Sequence, residues 1–112
     1  MEPLIQEYTG DHENEFSVGV LYADDGKLTT SIAMKRILEG GLSTRQVSFS
    51  NNSNKKYVIS SGHSQGLIDE FKDITEAGIK IAKIIHSNGP INIQCRKTEN
   101  GLSIFEINPR FS

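Results

Sequence analysis

The stretch that most restricts what this chain can become is its last one, residues 91 to 112, reading INIQCRKTENGLSIFEINPRFS. Ile91 to Lys97 and Leu102 to Ile107 are strand-like runs, the first alternating apolar with polar residues, with Glu99-Asn100-Gly101 as a turn signal between them. These runs predict two half-buried strands joined as an antiparallel hairpin. Successive strand side chains point to opposite faces, so Glu106 and Asn108 share one face and Phe105 and Ile107 the other. A three-residue loop with Gly101 left-handed pairs Thr98 with Leu102 and sets Gln94 opposite Glu106. A two-residue Asn-Gly turn slips the register by one and sends Gln94 to the far face. Under the longer loop, Gln94, Glu106 and Asn108 make one oxygen-rich patch. Carboxylate and amide oxygens are what Mg²⁺ takes from a protein, with water and nucleotide phosphates completing its shell.

FEINPRFS, preceded by NIQC at this distance, resembles the metal-binding end of the ATP-grasp fold, most closely the carbamoyl-phosphate synthase large-subunit type. The resemblance implies Gln94, Glu106 and Asn108 as ligands of magnesium (or manganese) ions bridging ATP phosphates. It also implies Arg110 near those phosphates. The plainer alternative is an amphipathic hairpin with a polar outer face, which any one of these residues alone would fit.

The length of 112 residues is that of one domain, with a modest core given 36% apolar residues. A net charge of −2 without a basic stripe argues against nucleic acid as partner. The single cysteine, Cys95, excludes an internal disulfide and a cysteine-based zinc site. It alternates with Gln94, which turns it toward the core as a small hydrophobe. No apolar run reaches membrane-spanning length and MEPLIQEYTG lacks a signal-peptide layout, so the expectation is a soluble cytoplasmic protein.

Pro3 to Tyr8 is a short strand candidate, followed by a polar break at Gly10 to Asn14. Glu15 to Tyr22 alternates, with Phe16, Val18, Val20 and Tyr22 on one face. Asp24 to Lys27 is a hairpin turn, and Leu28 to Arg36 returns as the partner strand, completing an antiparallel meander. Gln46 to Ser50 and Tyr57 to Ser60 are β-like pieces around a polar loop, a weak hairpin or lid. Gln65 to Ser87 predicts one long helix, capped by Ser64 and ended by Asn88-Gly89-Pro90. Its apolar stripe is Leu67, Phe71, Ile74, Gly78, Ile81 and Ile85, widened by Ile79, Ala82 and Ile84. The fold class is therefore α+β, an antiparallel sheet with one long helix packed on one face, in a single domain over residues 1–112.

The resemblance extends across IQEYTGDHENEFSVGVLY, which looks like the ATP-grasp segment that begins at the interlobe hinge. It implies that the backbone of Gln6, Glu7, Tyr8 and Thr9 reads the adenine edge and that Glu15 accepts the ribose hydroxyls. For Glu15 the alternative is a solvated strand-end carboxylate, and for Glu7 a side chain in solvent. Lys35-Arg36 and the stretch ILEGGLSTR up to Arg45 resemble the loop covering the transferred phosphate. Lys35 or Arg45 is the expected phosphate contact; Lys35 and Arg36 are adjacent, so only one of them faces the site if the segment is extended. Gly40-Gly41 by itself is a weak signal.

The resemblance implies an ATP- and Mg²⁺-binding lobe of a carboxylate–amine ligase that acts on a small carboxylate through an acyl phosphate. It covers about half of an ATP-grasp module. The expectation is a fragment, inactive alone, whose N-terminal lobe is supplied in cis or in trans and whose exposed apolar surface favours homo-oligomers. Two rival readings are a non-catalytic module derived from the fold that pairs with another chain, and an unrelated α+β domain whose oxygen-rich patch is accidental.

Overall fold

A computed structural model describes residue 3 and residues 5–37, 44–48, 56–60 and 66–110. After a 3-10 turn at His12–Asn14 come β1 (Glu15–Tyr22) and β2 (Leu28–Arg36), then β3 (Thr44–Ser48), β4 (Lys56–Ser60) and β5 (Gly66–Ile68). The helix α1 (Lys72–Ile84), β6 (Gly89–Thr98) and β7 (Gly101–Asn108) complete the described chain. Five strands form one sheet in the order β5-β2-β1-β6-β7, while β3 and β4 pair only with each other. Every pairing is antiparallel, and the one helix packs on one face of the sheet, which is the expected α+β class.

The alternation in β1 builds the core. Phe16, Val18, Val20 and Tyr22 are buried, and the register Phe16↔Cys95, Val18↔Ile93, Val20↔Ile91 brings the apolar residues of β6 to the same side. Ala33, Ile74 and Ala82 close this layer, with Phe71 edge-on to Phe16 at a ring separation of 5.2 Å. The helix comes close because of Gly78: a Cβ there would lie 2.8 Å from Val18 Cγ1. Cys95 is buried in this layer as expected. Burial, with the Glu15 and Asp73 carboxylates adding to it, pushes its thiol up to about 11.

Four expectations are corrected. The helix begins at Lys72, not Gln65, because Gly66–Ile68 pairs with β2 as an edge strand. A Cβ at Gly66 would fall 2.4 Å from the Lys35 carbonyl, so only glycine fits that approach. Leu67 is consequently 57% exposed instead of lying in the helix stripe, and Ile84 and Ile85 are exposed too. Phe71 occupies the N-cap position, whereas Ser64 and Gly40-Gly41 lie outside the described residues.

The helix also ends at Ile84, not Ser87. Ser87 N–H donates to Ala82 O (2.9 Å) and His86 N–H to Lys83 O (3.2 Å), a Schellman closure with His86 left-handed at φ 53°. Pro3–Tyr8 forms no strand among its described residues. Both edges of β1 are already taken, by β2 and β6, and no ladder is left for a third neighbour. Finally, the last hairpin turns on Glu99-Asn100, with Thr98↔Gly101 and Lys97↔Leu102 paired and Gly101 at φ 112°. That register alone would set Gln94 opposite Phe105. A β-bulge between Gln94 and Cys95 leaves Phe105 unpaired and restores Gln94↔Glu106.

Candidate functional site

The sheet face turned away from α1 is polar where β6 and β7 meet β1, and apolar toward β2 and β5 (Ile32, Met34, Ile68); the strand registers order it into rows. Ser17, Gln94 and Glu106 stand side by side across β1, β6 and β7, and Gly19, Asn92 and Asn108 form the next row. On the other side of the first row, Glu15 pairs with Arg96, which pairs in turn with Ser103. The alternation N-x-Q-x-R in β6 thus puts Asn92, Gln94 and Arg96 on this face while Ile91, Ile93 and Cys95 fill the core.

Much of this face is buried. Glu15, Ser17, Arg36, Asn92 and Arg96 are the buried polar residues among those described, and all five belong to it. Glu15, at 2% exposure, accepts from Arg36 Nη1 at 2.9 Å and from Arg96 Nε at 3.0 Å. It is therefore an ion-pair centre and not a solvated strand-end carboxylate. Arg96 Nη1 reaches on to the Thr9 carbonyl at 3.2 Å, and its guanidinium lies 4.5 Å over the Tyr8 ring. Ser17 Oγ donates to Asn92 Oδ1 at 2.6 Å, while Asn92 Nδ2, buried, has no hydrogen-bond partner among the described residues.

The residues singled out in sequence fall as follows. Gln94, Glu106 and Asn108 share the polar face, Glu106 exposed and the two amides half-buried. Glu7, Tyr8 and Thr9 line an open polar cleft of about 890 Å³, faced by Lys97, Glu99 and Ser103 of the last hairpin. This volume is in the range of about 300–1,000 Å³ common for small-molecule sites. Gln6 Nε2 donates to the Phe105 carbonyl (3.2 Å), and Thr9 Oγ1 donates to Ser103 Oγ (3.0 Å), tying the segment before β1 to β7. Lys35 pairs with Phe16 and Leu67, on the helix side of β2; the basic residue of that pair that joins the polar face is Arg36. Arg45 stands in β3 opposite Ile59, its side chain outside the described residues. Arg110 follows β7 and is exposed.

The donor set has the chemistry of a shared metal site more than of a resident one. No group of three or more His, Cys, Asp or Glu placed to hold a metal exists among the described residues. Glu106 contributes the one carboxylate of the patch, beside the amide oxygens of Gln94 and Asn108. Mg²⁺ held by one or two carboxylates and otherwise by water and phosphate suits that set. Reasoning from the sequence missed Arg36, Arg96, Ser17 and Asn92. The signal was present for Asn92 and Arg96, which flank Gln94 at i−2 and i+2; the pairing of Arg36 with Glu15 required the register of β2.

No helix among the described residues is long and apolar enough to cross a membrane. Residues 2–112 match the family described as ATP-grasp in the biosynthetic pathway with Ter operon. Neither a curated protein nor a solved structure matches the chain.

Proposed function

The chain belongs to this ATP-grasp family, and from that premise we propose that its polar sheet face is the ATP- and Mg²⁺-facing wall of a carboxylate–amine ligase of the acyl-phosphate-forming, carbamoyl-phosphate synthase-like kind. The family generally binds ATP with Mg²⁺ and acts as ligases on carboxylate substrates. A second lobe, in cis or in trans, would close over this wall. The observation that carries the reading is the bulge-set pairing of Gln94 with Glu106, with Asn108 two residues on. It gathers the oxygens of three side chains on one face.

Within this proposal, Glu106, Gln94 and Asn108 would hold the metal that accompanies the nucleotide. Bound there, the metal would neutralise charge on the phosphate oxygens during phosphoryl transfer. Glu106 supplies the negative charge of the patch, and the amide oxygens orient without adding to it. Glu7 to Thr9 border the cleft where the base would lie, and Gln6 precedes them, bonded to the Phe105 carbonyl. Glu15 acts through Arg96, which ties the Thr9 carbonyl and the Tyr8 ring to β6; its contact with ribose hydroxyls uses the remaining lone pairs of the carboxylate. Arg110 and the basic candidate Arg45 supply positive charge for the transferred group, with Arg36 on the same face paired to Glu15; Lys35, on the helix side of β2, is not part of this set.

Calorimetric titration with ATP at millimolar concentration, with and without Mg²⁺, tests the reading. Binding is expected to strengthen with Mg²⁺, and Glu106→Gln to remove that gain by about tenfold or more. Equal Mg²⁺ dependence in the wild type and in Glu106→Gln would overturn it. The finer chemistry is read by ADP release that requires both a carboxylate and an amine, assayed with the partner lobe.

A further inference from the structure

We propose that the open edge of β2 is a docking site for an extended, basic segment of a partner protein, which joins the sheet there as an added strand. The inference does not depend on the nucleotide reading and concerns the end of the sheet opposite β7. β5 covers β2 only at Met34, Lys35 and Arg36. The Phe71 N–H then donates to the Asp69 carbonyl at 3.0 Å, and this tight turn carries the chain off the edge into α1, where Phe71 packs edge-on against Phe16. Among the described residues, no strand lies beside residues 28–33 on that side.

A strand edge offers its backbone N–H and C=O groups to any extended chain, and folded proteins usually blunt it with a charge, a proline or a bulge. β7 is blunted in this way: it is bulged at Phe105, and Gln6 Nε2 donates to the Phe105 carbonyl. The open piece of β2 reads LTTSIA, without charge or proline. Its register against β1 is regular from Phe16↔Lys35 to Leu21↔Thr30, so the edge beyond is straight as well as open.

The surroundings determine what kind of segment fits. A groove of about 520 Å³ runs between this edge and the start of α1, with Ser31, Ile32 and Ala33 on one side and Asp69, Glu70 and Glu76 on the other. Those three carboxylates are exposed, and Lys72 is the one cationic side chain among the groove residues, so the groove is negative. Side chains of an added strand alternate between the two faces of the sheet. Those on the helix side meet the carboxylates, which suits Lys or Arg. Those on the other side lie beside Ile32 and Ile68, 52% and 62% exposed, which suits Val, Ile or Leu. The occupant is therefore a strand of alternating basic and apolar residues, held by main-chain hydrogen bonds and selected by its side chains. At about 3.3 Å per residue, residues 28–33 offer it roughly 20 Å of edge.

The test is fluorescence anisotropy of a labelled peptide of alternating lysine and valine, about six residues long, titrated with the wild-type chain. A glutamate–valine peptide is the charge control. Two further lysine–valine peptides carry N-methyl groups along one or the other hydrogen-bonding edge. The lysine–valine peptide is expected to bind, and Glu70→Lys combined with Glu76→Lys to weaken it by about tenfold or more. One N-methylated version should bind and the other should not. Hydrogen exchange at alternate amides of residues 29–33 should slow when the peptide is bound. Equal binding of both N-methylated versions, or unchanged exchange in β2, would mean that charge alone holds the peptide and would overturn the proposal. Equal binding of the glutamate–valine peptide would overturn the basic partner. Self-association of the chain that protects the same β2 amides without peptide would assign the edge to a second copy and overturn the proposal as stated.

Discussion

The two faces of the five-stranded sheet are made by the same strands, one residue apart, and are held by different physics. Toward α1, Phe16, Val18, Val20, Ile91, Ile93 and Cys95 exclude water, and what stabilises them is apolar area removed from solvent. Away from α1, Glu15, Arg36 and Arg96 are equally buried but are charged. Removing charges from water costs several kcal/mol per ion, so that face holds together only because each carboxylate oxygen meets an arginine. Burial on the helix side is non-directional and tolerates adjustment. On the polar side it depends on individual partners, and those partners are also what a ligand would meet.

The difference is tested most severely at Glu15. Glu15→Ala leaves Arg36 and Arg96 buried without their carboxylate and is expected to cost about 3–5 kcal/mol, read as a lowered denaturant midpoint. A loss below about 1 kcal/mol would mean that water reaches this face and that the contrast fails. Next comes a neighbouring pair of residues on opposite faces. Ile93→Ala should cost about 2–5 kcal/mol by opening a cavity, whereas Gln94→Ala should change stability by less than about 0.5 kcal/mol and act on Mg²⁺-dependent ATP binding instead.

Gly78→Ala sharpens the helix side. Its gain in helix propensity is opposed by the clash with Val18, and the net expectation is a loss of about 1–3 kcal/mol, relieved when Val18→Ala is combined with it. His86→Gly should stabilise by about 1 kcal/mol, since His86 holds a left-handed angle that glycine adopts without strain. The smallest effect belongs to the exposed pair Asp73–Lys97. The hydrogen bond from Lys97 holds the Asp73 carboxyl below its usual 3.8. A lowered folded value means that the contribution is present above that pH and is lost as pH falls through the folded value. Lys97→Met should therefore slightly reduce the acid-side slope of melting temperature against pH.

Strands β1 and β2 were legible to the residue, β1 from its two-residue alternation and β2 from the Asp24-Asp25-Gly26-Lys27 turn that returns the chain beside it. The start of α1 was not. Gly66-Leu67-Ile68 has a pattern that serves a helix or an edge strand equally, and the open edge of β2 decided between them. The last hairpin shows how an expectation can hold while its stated cause fails. Gln94 faces Glu106, yet through a Glu99-Asn100 loop and a bulge at Phe105 and not through a longer loop. At the site, the side chains of one face could be read from alternation within a single strand, as with Glu106 and Asn108. Which strands stood beside one another could not.

The order of residues in this chain was enough to set its α+β class, its ATP-grasp membership and the inward and outward sides of β1 and β6. Those properties follow from periodicity and motif, which are local along the chain. Only the assembled sheet determined that Arg36, and not Lys35, meets Glu15, that Arg96 joins them from a strand 81 residues away, and that Asn92 is buried beside Ser17, bonded to its hydroxyl. Such pairings depend on hydrogen-bond register between distant strands, and a shift of one residue there exchanges one face for the other.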